Sequence, residues 1–468
     1  MIKPTKQDFI NLAKQGNLIP VYKEISADQE TPVSAFKKIE TDYSFLLESI
    51  EGGEKIARYS FLGAGSKKSL VTTQNFFELK KIMSKYQPVV IPGLPRFHGG
   101  LVGLLSYDVV RQFERIPDSN SDDLNVPTIN LLLTDNILAF DHVKNKIIII
   151  ANAHVEGDPA KAYDKAVKQI SEIEKRLSKS VKFKELNVDK EIKEPEFKSN
   201  MTQNDYEQVV NKMKEYIKAG DIIQGVPAQR LETTFKKDPF DIYRVLRMIN
   251  PSPYMFYLKF GDIKLAGSSP EVMVRLEDGE ATIRPIAGTR RRGKDKVEDE
   301  ALAQELLADE KERAEHLMLV DLARNDLGRV CEYGSVETNE LMVIERYSHV
   351  MHIVSNVRGK IREGSDAFDL MAASFPAGTV SGAPKVRAME IIDELENVKR
   401  GPYAGAVGYF DYFGNMDTGI IIRTVLVKNN KAYVQVGAGI VADSIPAKEY
   451  EETLNKAKGM LRAIELAQ

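Results

Sequence analysis

The sequence predicts a mixed α/β fold, and two patterns support that prediction. From Val21 to Ala153, short apolar segments of strand length alternate with turn residues. From Thr202 onward, strand-like segments alternate with segments of helical periodicity. The chain has 468 residues, which is too many for one small core, so one large domain or two are expected.

The N-terminal part is predicted to consist mainly of strands. The strand-like segments are residues 43–48, 99–107, 128–140 and 146–152. Asn145 is a natural hairpin residue before the last of these segments. Residues 158–177 are predicted to form a helix, because apolar residues recur on one stripe, namely Ala162, Ala166, Ile170, Ile173 and Leu177.

A linker is predicted after this helix. Residues 178–200 are charged, poor in apolar side chains and interrupted by Pro195. We therefore divide the chain into an N-terminal region (1–177), a linker (178–200) and a C-terminal region (201–468). The last region begins with a helix that we expect Thr202 to cap and Gly220 to end.

Composition excludes several classes of function. The net charge is −3 and the isoelectric point is near 6.2, so the chain has no electrostatic footprint for nucleic acid. The N-terminus lacks the apolar segment of a signal peptide, and the apolar runs are too short to span a membrane. We therefore expect a cytoplasmic protein without a membrane partner.

Cys331 is the only cysteine, which excludes an internal disulfide and a CxxC metal site. It also lacks the Gly-x-Cys-x-Gly elbow of a glutamine-hydrolysing nucleophile, so a structural role is expected for it. If this chain uses nitrogen from glutamine, another chain must release it.

Two predicted helices carry paired glutamates. Residues 299–327 read as one long or slightly broken helix on which Glu312 and Glu315 share a face, with Leu306 and Leu317 in its apolar stripe. A second helix begins near Pro446 and carries a similar pair. Two such pairs can hold a hard divalent cation, although either pair alone is also typical of a solvated helix face.

Other candidate residues lie at the ends of predicted strands or in turns. Residues 281–286 are a strand-like run that is predicted to lead into a Gly-Thr turn at 288–289. Glu271 follows a short strand in a Gly-Ser-Ser-Pro-Glu turn, and His352 lies in a strand on the same side as Val350. Residues 376–385 form a Gly/Ser/Thr-rich loop that opens a helix and suits an anion. Arg423 ends an apolar run and needs an anionic partner.

Three motifs together resemble the chorismate-utilising enzymes, and within them the anthranilate synthase component I family. The motifs are RPIAGTR at 284–290, ERAEHLMLVDLARNDLG at 312–328 and EYEET at 449–453. The resemblance covers nearly the whole chain. It implies a large sandwich of two facing antiparallel sheets with helices outside. It also implies a Mg²⁺-dependent reaction of chorismate with ammonia that gives anthranilate and pyruvate.

The resemblance also implies roles for individual residues. The expected direct Mg²⁺ ligands are Glu315 and Glu452, with Glu312 and Glu449 behind them. The expected catalytic residues are Glu271, His352, Thr379 and Glu312. The expected substrate-binding residues are Gly288, Thr289, Tyr403, Arg423, Gly437, Ala438, Gly439 and Lys456.

Two positions bear on which nucleophile attacks the substrate. Related enzymes that make aminodeoxychorismate typically have a lysine at the position of Ala287, and those that activate water have a lysine at the position of Gln224. Neither lysine is present, which favours direct attack by ammonia. Aminodeoxychorismate synthase component I and a non-catalytic chorismate or tryptophan sensor are the alternatives.

The resemblance further implies feedback inhibition by tryptophan, as well as a glutamine amidotransferase subunit (component II) as partner. The expected tryptophan pocket lies between the two regions of the chain. Its predicted residues are Glu48, Ser49, Pro253, Tyr254 and Met255.

Overall fold

The structure is a computed structural model that describes residues 1–49, 58–189, 196–347 and 350–468. Within these ranges the α-helices are α1 (Lys6–Leu12), α2 (Pro32–Ile39), α3 (Glu78–Met83), α4 (Pro159–Leu177), α5 (Gln203–Ala219), α6 (Pro239–Ile249), α7 (Lys296–Ala308), α8 (Glu310–Gly328), α9 (Ala367–Ser374), α10 (Lys385–Leu395) and α11 (Pro446–Ala467). Short 3-10 helices span Lys67–Ser69, Tyr107–Gln112 and Gly378–Val380.

The strands up to the middle of the chain are β1 (Ile2–Lys3), β2 (Leu18–Ser26), β3 (Tyr43–Glu48), β4 (Tyr59–Ala64), β5 (Leu70–Val71), β6 (Gly100–Leu105), β7 (Ile129–Thr134), β8 (Asn136–Asp141), β9 (Lys146–His154), β10 (Lys198–Ser199), β11 (Gln224–Gly225) and β12 (Ala228–Thr234). The remaining strands are β13 (Tyr254–Phe260), β14 (Ile263–Ser269), β15 (Val272–Glu277), β16 (Glu280–Ile283), β17 (Ile286–Arg291), β18 (Glu337–Arg346), β19 (Val350–Lys360), β20 (Gly382–Ala383), β21 (Ala406–Asp411), β22 (Met416–Ile420), β23 (Thr424–Lys428) and β24 (Lys431–Gly437).

Two large antiparallel sheets contain most of these strands. The first has the order β1-β2-β9-β8-β4-β3-β13-β14-β23-β24-β12-β10. The second has the order β17-β19-β16-β15-β22-β21-β6-β7-β5, and β18 pairs with β19 off this path. N-terminal and C-terminal strands meet in both sheets, at the β3–β13 pair and at the β6–β21 pair.

The two sheets face each other across an apolar core. This core takes side chains from both sheets, among them Phe45, Phe61, Leu104, Phe256 and Tyr409. Helices α2, α4, α6 and α11 pack on the outer face of the first sheet. Helices α8 and α9 cover the outer face of the second sheet. The sandwich of two antiparallel sheets with helices outside is therefore confirmed.

Several local predictions are also confirmed. Thr202 caps α5 in a capping box with Asp205, and Gly220 ends that helix in a left-handed conformation with φ of 85°. Pro446 occupies the first turn of α11, as predicted. These signals depend on hydrogen bonds between near neighbours, so they are readable from sequence.

One predicted strand is wrong. Residues 128–140 form two strands, β7 and β8, that lie in different sheets. The break is at Asp135, whose carboxylate accepts a hydrogen bond from Tyr412 at 2.6 Å. The carbonyl of Asp135 accepts from the backbone and side-chain nitrogens of Asn152. These long-range contacts hold the chain where it crosses between the sheets, and they leave no mark on local periodicity.

The helix predicted over 299–327 is broken at Asp309, which ends α7 and caps α8 through the backbone N–H groups of Lys311 and Glu312. The predicted apolar stripe is wrong at Leu317, whose exposed fraction is 43%. The buried face of α8 instead carries His316, Leu319, Val320, Ala323 and Leu327. The predicted stripe assumed one uninterrupted helical periodicity. Because the helix breaks at Asp309, the residues of α8 do not continue the periodicity of α7.

The segment 281–290 also differs from its prediction. The strand predicted from residue 281 into 286 is divided into β16 and β17, and the predicted Gly-Thr turn is a bulge within β17, opposite β19. Gly288 has φ of 66°, and a Cβ there would lie 3.1 Å from Oε2 of Glu312. The prediction of a turn did not take account of β19, which pairs with β17 on both sides of Gly288.

The predicted linker lies along the body of the protein where the structure describes it. Residues 181–187 have no regular secondary structure, and Arg462 donates a hydrogen bond to the carbonyl of Val188. Pro195 and the rest of 190–195 lie outside the described residues. The strands of residues 1–177 and 201–468 share both sheets. The division of the chain at the linker 178–200 stays a prediction. No described helix has the length and apolarity needed to cross a membrane.

Candidate active site

A cavity of about 430 Å³ lies where strand ends, loops and α11 of the C-terminal region converge. Many of the predicted site residues line it, namely Glu271, Thr289, His352, Thr379, Tyr403, Arg423, Gly437 and Lys456. They come from segments more than 180 positions apart in the sequence, which only the two sheets bring together. The cavity is the size of a small-molecule site.

Glu271 immediately precedes β15 and lines the cavity. Thr379 Oγ1 donates a hydrogen bond of 2.8 Å to Glu271 Oε1. Burial raises the pKa of Glu271 to about 7, against the opposing effects of the Thr379 hydrogen bond and the positive charge of Lys456. A carboxyl group with this pKa can be protonated near neutral pH, which a general acid requires.

His352 lies opposite Thr289 across the β17–β19 pair. Its Nδ1 is 2.9 Å from the carbonyl oxygen of Gly288 and 3.1 Å from Oγ1 of Thr289. Because a carbonyl oxygen only accepts, we assign the proton to Nδ1, which leaves Nε2 as a free acceptor. Burial lowers the pKa of the imidazole below its usual range, so His352 is neutral and suited to take a proton. Val350 lines the same cavity, as predicted, whereas His349 lies outside the described residues.

Arg423 presents a guanidinium group to the cavity without an ion pair or side-chain hydrogen bond to any residue that the structure describes. Burial lowers its pKa. Its backbone has φ of 50°, a left-handed conformation that costs an arginine about 1–3 kcal/mol. A partly buried cation in a strained conformation is suited to bind a carboxylate of a ligand. Tyr403, also on the cavity wall, has its pKa raised to about 12 by burial.

The Gly437-Ala438-Gly439 segment contributes to the site unevenly. Gly437 lines the cavity, and a Cβ there would lie 2.9 Å from the hydroxyl of Tyr403. Ala438 is fully buried outside the cavity lining. Gly439 makes room for Gln224, because a Cβ would lie 2.7 Å from its Nε2. Of the three residues, Gly437 is the one placed to contact a ligand in the cavity.

The paired glutamates Glu312, Glu315, Glu449 and Glu452 do not line the cavity, and the border near which we place them is marked by Lys456, which lines the cavity and pairs with Glu452. Glu315 on α8 accepts a hydrogen bond of 3.4 Å from Gln224, which is 4% exposed. Burial and then the negative charges of Glu312 and Glu452 raise the pKa of Glu315. Lys456 forms an ion pair of 2.7 Å with Glu452 and also lines the cavity. Glu312 forms an ion pair with Arg290 instead of facing the cavity.

The donor chemistry at this border fits a hard divalent cation. Among the described residues, no group of three or more His, Cys, Asp or Glu side chains is arranged as a complete metal site. Glu315 and Glu452 nevertheless influence each other electrostatically across two helices, and carboxylate oxygens are the ligands that Mg²⁺ prefers. Two protein ligands leave positions for water and substrate oxygens, as is usual for Mg²⁺.

The sequence between residues 42 and 462 matches the family described as chorismate binding enzyme. The chain belongs to the chorismate binding enzymes. It is 50% identical to anthranilate synthase component 1 of Acetivibrio thermocellus, over 100% of this chain and 99% of the relative. It is 51% identical to the protein of the same name from Aquifex aeolicus, over 99% of this chain and 98% of the relative.

A solved structure is also similar to this chorismate binding enzyme. The crystal structure of anthranilate synthase component I from Streptococcus pneumoniae superposes with a TM-score of 0.79 and 36% identity. The match covers 93% of this chain and 99% of that chain. The resemblance inferred from the three sequence motifs is therefore confirmed at the level of the family and the fold.

A second, smaller cavity of about 60 Å³ lies between the sheets of this family member. All five residues of the predicted tryptophan pocket line it: Glu48, Ser49, Pro253, Tyr254 and Met255. The hydroxyl of Ser49 is buried and has no hydrogen-bond partner in the described part of the chain. The carboxylate of Glu48 already accepts hydrogen bonds from Tyr243 and Arg247.

Sequence reasoning missed several residues of the two cavities. Asn250, Ser252, Ile422 and Gln435 line the larger cavity. Arg96, Arg275 and Asp417 line the smaller one, where Asp417 forms ion pairs with both arginines. These residues lie on strands and loops far apart in sequence, and no spacing signal connects them.

We predict that Glu271 titrates near pH 7, and that Thr379→Val raises this midpoint because it removes a donor to the ionised carboxylate. The measurement is the infrared carbonyl band of the protonated acid, assigned by its loss in Glu271→Gln. Thr338→Val, a threonine substitution on β18 away from the cavity, is the control and leaves the midpoint unchanged. A wild-type midpoint near 4.5, the ordinary value, would contradict the assignment.

Proposed function

We propose that this chain aminates chorismate with ammonia and eliminates pyruvate to give anthranilate, the reaction that opens tryptophan biosynthesis. The observation that carries the proposal is that Glu271, His352 and Arg423 face one cavity. They offer a protonatable acid, a neutral base and an unpaired cation. The names of the relatives, anthranilate synthase component 1, support the same reaction.

Glu271 acts first in this proposal. Ammonia attacks C2 of chorismate, the ring double bonds shift, and the C4 hydroxyl leaves. Hydroxide is a poor leaving group, so the hydroxyl must take a proton and depart as water. Because its pKa is raised, the carboxyl group of Glu271 is partly protonated near neutral pH and supplies that proton. Thr379 fixes the orientation of this carboxyl group.

His352 acts in the second half of the reaction. Removal of the C2 proton, with cleavage of the bond from C3 to the enolpyruvyl oxygen, makes the ring aromatic and releases the enolate of pyruvate, which takes up a proton at its methylene carbon to become pyruvate. The free Nε2 of His352 accepts this proton, while Gly288 and Thr289 hold the ring through Nδ1. Arg423 and Tyr403 bind the enolpyruvyl carboxylate, and the fork of the guanidinium group suits a planar anion.

Glu315 and Glu452 would hold Mg²⁺, with Glu312 and Glu449 behind them. When bound, the cation orients the ring carboxylate of chorismate and polarises the adjacent carbons. The raised pKa of Glu315 supports this assignment, because burial and like charges around a carboxylate are relieved by a cation. Lys456 forms an ion pair with Glu452 and donates a hydrogen bond of 3.0 Å to the carbonyl of Gly437.

Ammonia is proposed as the nucleophile because the two diagnostic positions lack a lysine. Ala287 lines the cavity, and Gln224 donates to Glu315 beside it. The alanine argues against aminodeoxychorismate synthase, and retention of the catalytic residues argues against a sensor. Cys331 is buried and its pKa is raised to about 11 by burial, so it is unsuited to glutamine hydrolysis. A glutamine amidotransferase subunit (component II) is therefore the proposed ammonia source, and the cytoplasm the proposed location.

Tryptophan is proposed as a feedback inhibitor that binds the smaller cavity. Ser49 offers an unpartnered hydroxyl for the polar end of the amino acid, and Tyr254 and Met255 offer surface for the indole. Residues 1–177 contribute β3, and residues 201–468 contribute β13, so both regions of the chain form the pocket.

The deciding experiment mixes the purified chain with chorismate, Mg²⁺ and ammonium salt. A mildly alkaline pH supplies free ammonia while part of Glu271 stays protonated. We expect anthranilate and pyruvate in equal amounts, identified by fluorescence and mass. An amino-deoxychorismate product or isochorismate would show that Ala287 and Gln224 do not select the nucleophile as proposed. Chorismate binding without turnover would favour the sensor.

We predict that Glu315→Gln weakens Mg²⁺ binding by at least about tenfold, because the amide lacks the charge that a hard cation requires. Titration calorimetry with Mg²⁺ alone measures this affinity, and the Mg²⁺ dependence of turnover gives a second readout. Glu310→Gln, an exposed glutamate in the first turn of the same helix, is the matched control. Equal Mg²⁺ affinity in the two variants would remove Glu315 from the metal site.

We predict that Ser49→Ala raises the tryptophan concentration needed for half inhibition by about fivefold or more, the effect of one lost hydrogen bond. Turnover without tryptophan is expected to stay at the wild-type level, because Ser49 does not line the larger cavity. Inhibitor titrations compare it with Ser66→Ala, an exposed serine outside the pocket. Absence of any inhibition in the wild type would refute the feedback proposal itself.

A further inference from the structure

Arg400 lies directly behind the wall of the larger cavity and is only 2% exposed. Its Nη1 donates to the carbonyl of Val380 at 2.7 Å, and its Nη2 donates to the carbonyl of Val226 at 2.6 Å. Both valines line the cavity, although they come from different segments of the chain. One guanidinium group therefore ties two parts of the cavity wall together.

The same guanidinium group is fixed from its other sides. Nε and Nη2 donate to the carboxylate of Glu396, which is itself buried and accepts from the backbone N–H of Ala228. The ring of Tyr107 lies 4.8 Å from the guanidinium carbon, and the ring of Tyr403 lies 5.6 Å from it. Tyr403 is the cavity residue proposed to bind a substrate carboxylate.

Val380 follows Thr379 in the 3-10 helix Gly378–Val380. The position of this helix determines whether Thr379 Oγ1 reaches Glu271. Ser381, the next residue, accepts a hydrogen bond at its carbonyl from the backbone N–H of Val226. The contacts of Arg400 thus converge on the segment that orients the proposed general acid.

We propose that Arg400 is a positioning residue, which holds Thr379 against Glu271 through its bonds to Val380, Val226 and Glu396. This role rests on the proposed function and deepens it, because it names the buried group on which the geometry of the acid depends. Arg400 touches neither the cavity nor a reacting atom.

The role requires the shape of arginine as well as its charge. A guanidinium fork spreads its donors over three nitrogens, which lets it bond two carbonyls and a carboxylate that point in different directions. A lysine has one nitrogen, so at least one of these acceptors loses its partner. Arg400→Lys therefore keeps the charge opposite Glu396 and disturbs the position of the loop.

The test is the infrared titration of Glu271 in protein without substrate. The groups that face this carboxyl are Thr379 and Lys456. We expect Arg400→Lys to move the midpoint upward by about one pH unit, as Thr379 withdraws from the carboxylate. In a Thr379→Val background, Arg400→Lys should add no further shift, because the contact it supports is already absent. In turnover assays we expect kcat to fall at least about tenfold while KM for chorismate changes less than threefold.

Arg176→Lys is the matched control. Arg176 also donates to several backbone carbonyls, those of Lys38, Ile39 and Glu40, but it lies on α4 away from the cavity. It should leave the midpoint of Glu271 and kcat at their wild-type values. An unchanged midpoint in folded Arg400→Lys, or a full extra shift in the Thr379→Val background, would overturn the proposal.

A second variant covers the case in which Arg400→Lys does not fold. Replacing both Arg400 and Glu396 with methionine removes the buried pair together, which is often neutral for stability. The carbonyls of Val226 and Val380 again lose their donor, so the same upward midpoint shift is expected, and its absence would overturn the proposal. The titration uses no substrate, so failure of the proposed reaction would leave this result interpretable.

Discussion

The pairing of N-terminal with C-terminal strands is the constraint on which the rest of the structure depends. β3 pairs with β13 in one sheet, and β6 pairs with β21 in the other. The apolar faces of the two sheets then pack together, and burial of each large side chain between them contributes about 1.5–3 kcal/mol. Neither region contains all the strands of either sheet; the smaller cavity takes residues from both regions, and the larger one is lined by the C-terminal region.

Burial determines the chemistry of the larger cavity more than any single ion pair does. It raises the pKa of Glu271 and lowers the pKa of His352, so a carboxyl group can be protonated beside an imidazole that is neutral. In water near neutral pH the carboxyl group would be almost fully ionised, and a minority of the imidazole would carry a proton. The same burial leaves Arg423 as a cation that needs a ligand carboxylate.

The two cavities share a short segment of chain. Asn250, Pro251 and Ser252 line the larger cavity, Tyr254 and Met255 line the smaller one, and Pro253 lines both. Ser268, on the next strand, bonds the carbonyl of Asn250 and donates its backbone N–H to the carbonyl of Arg423. A ligand that moves Pro253 therefore acts on a segment that Ser268 joins to the proposed substrate-binding arginine, which is a physical route for the proposed feedback.

The sequence by itself determined the family, the fold class, both ends of α5, and the residue types expected at the site. These follow from local hydrogen bonding, from periodicity and from motifs that are contiguous in the chain. Only the tertiary structure decided that residues 128–140 cross between sheets, that Gly288 forms a bulge and that Leu317 is exposed. It alone placed Glu271 against Thr379 and Arg400 behind Val226 and Val380. The physical reason is that these arrangements depend on contacts between residues far apart in the chain, whereas caps and periodicities depend on near neighbours.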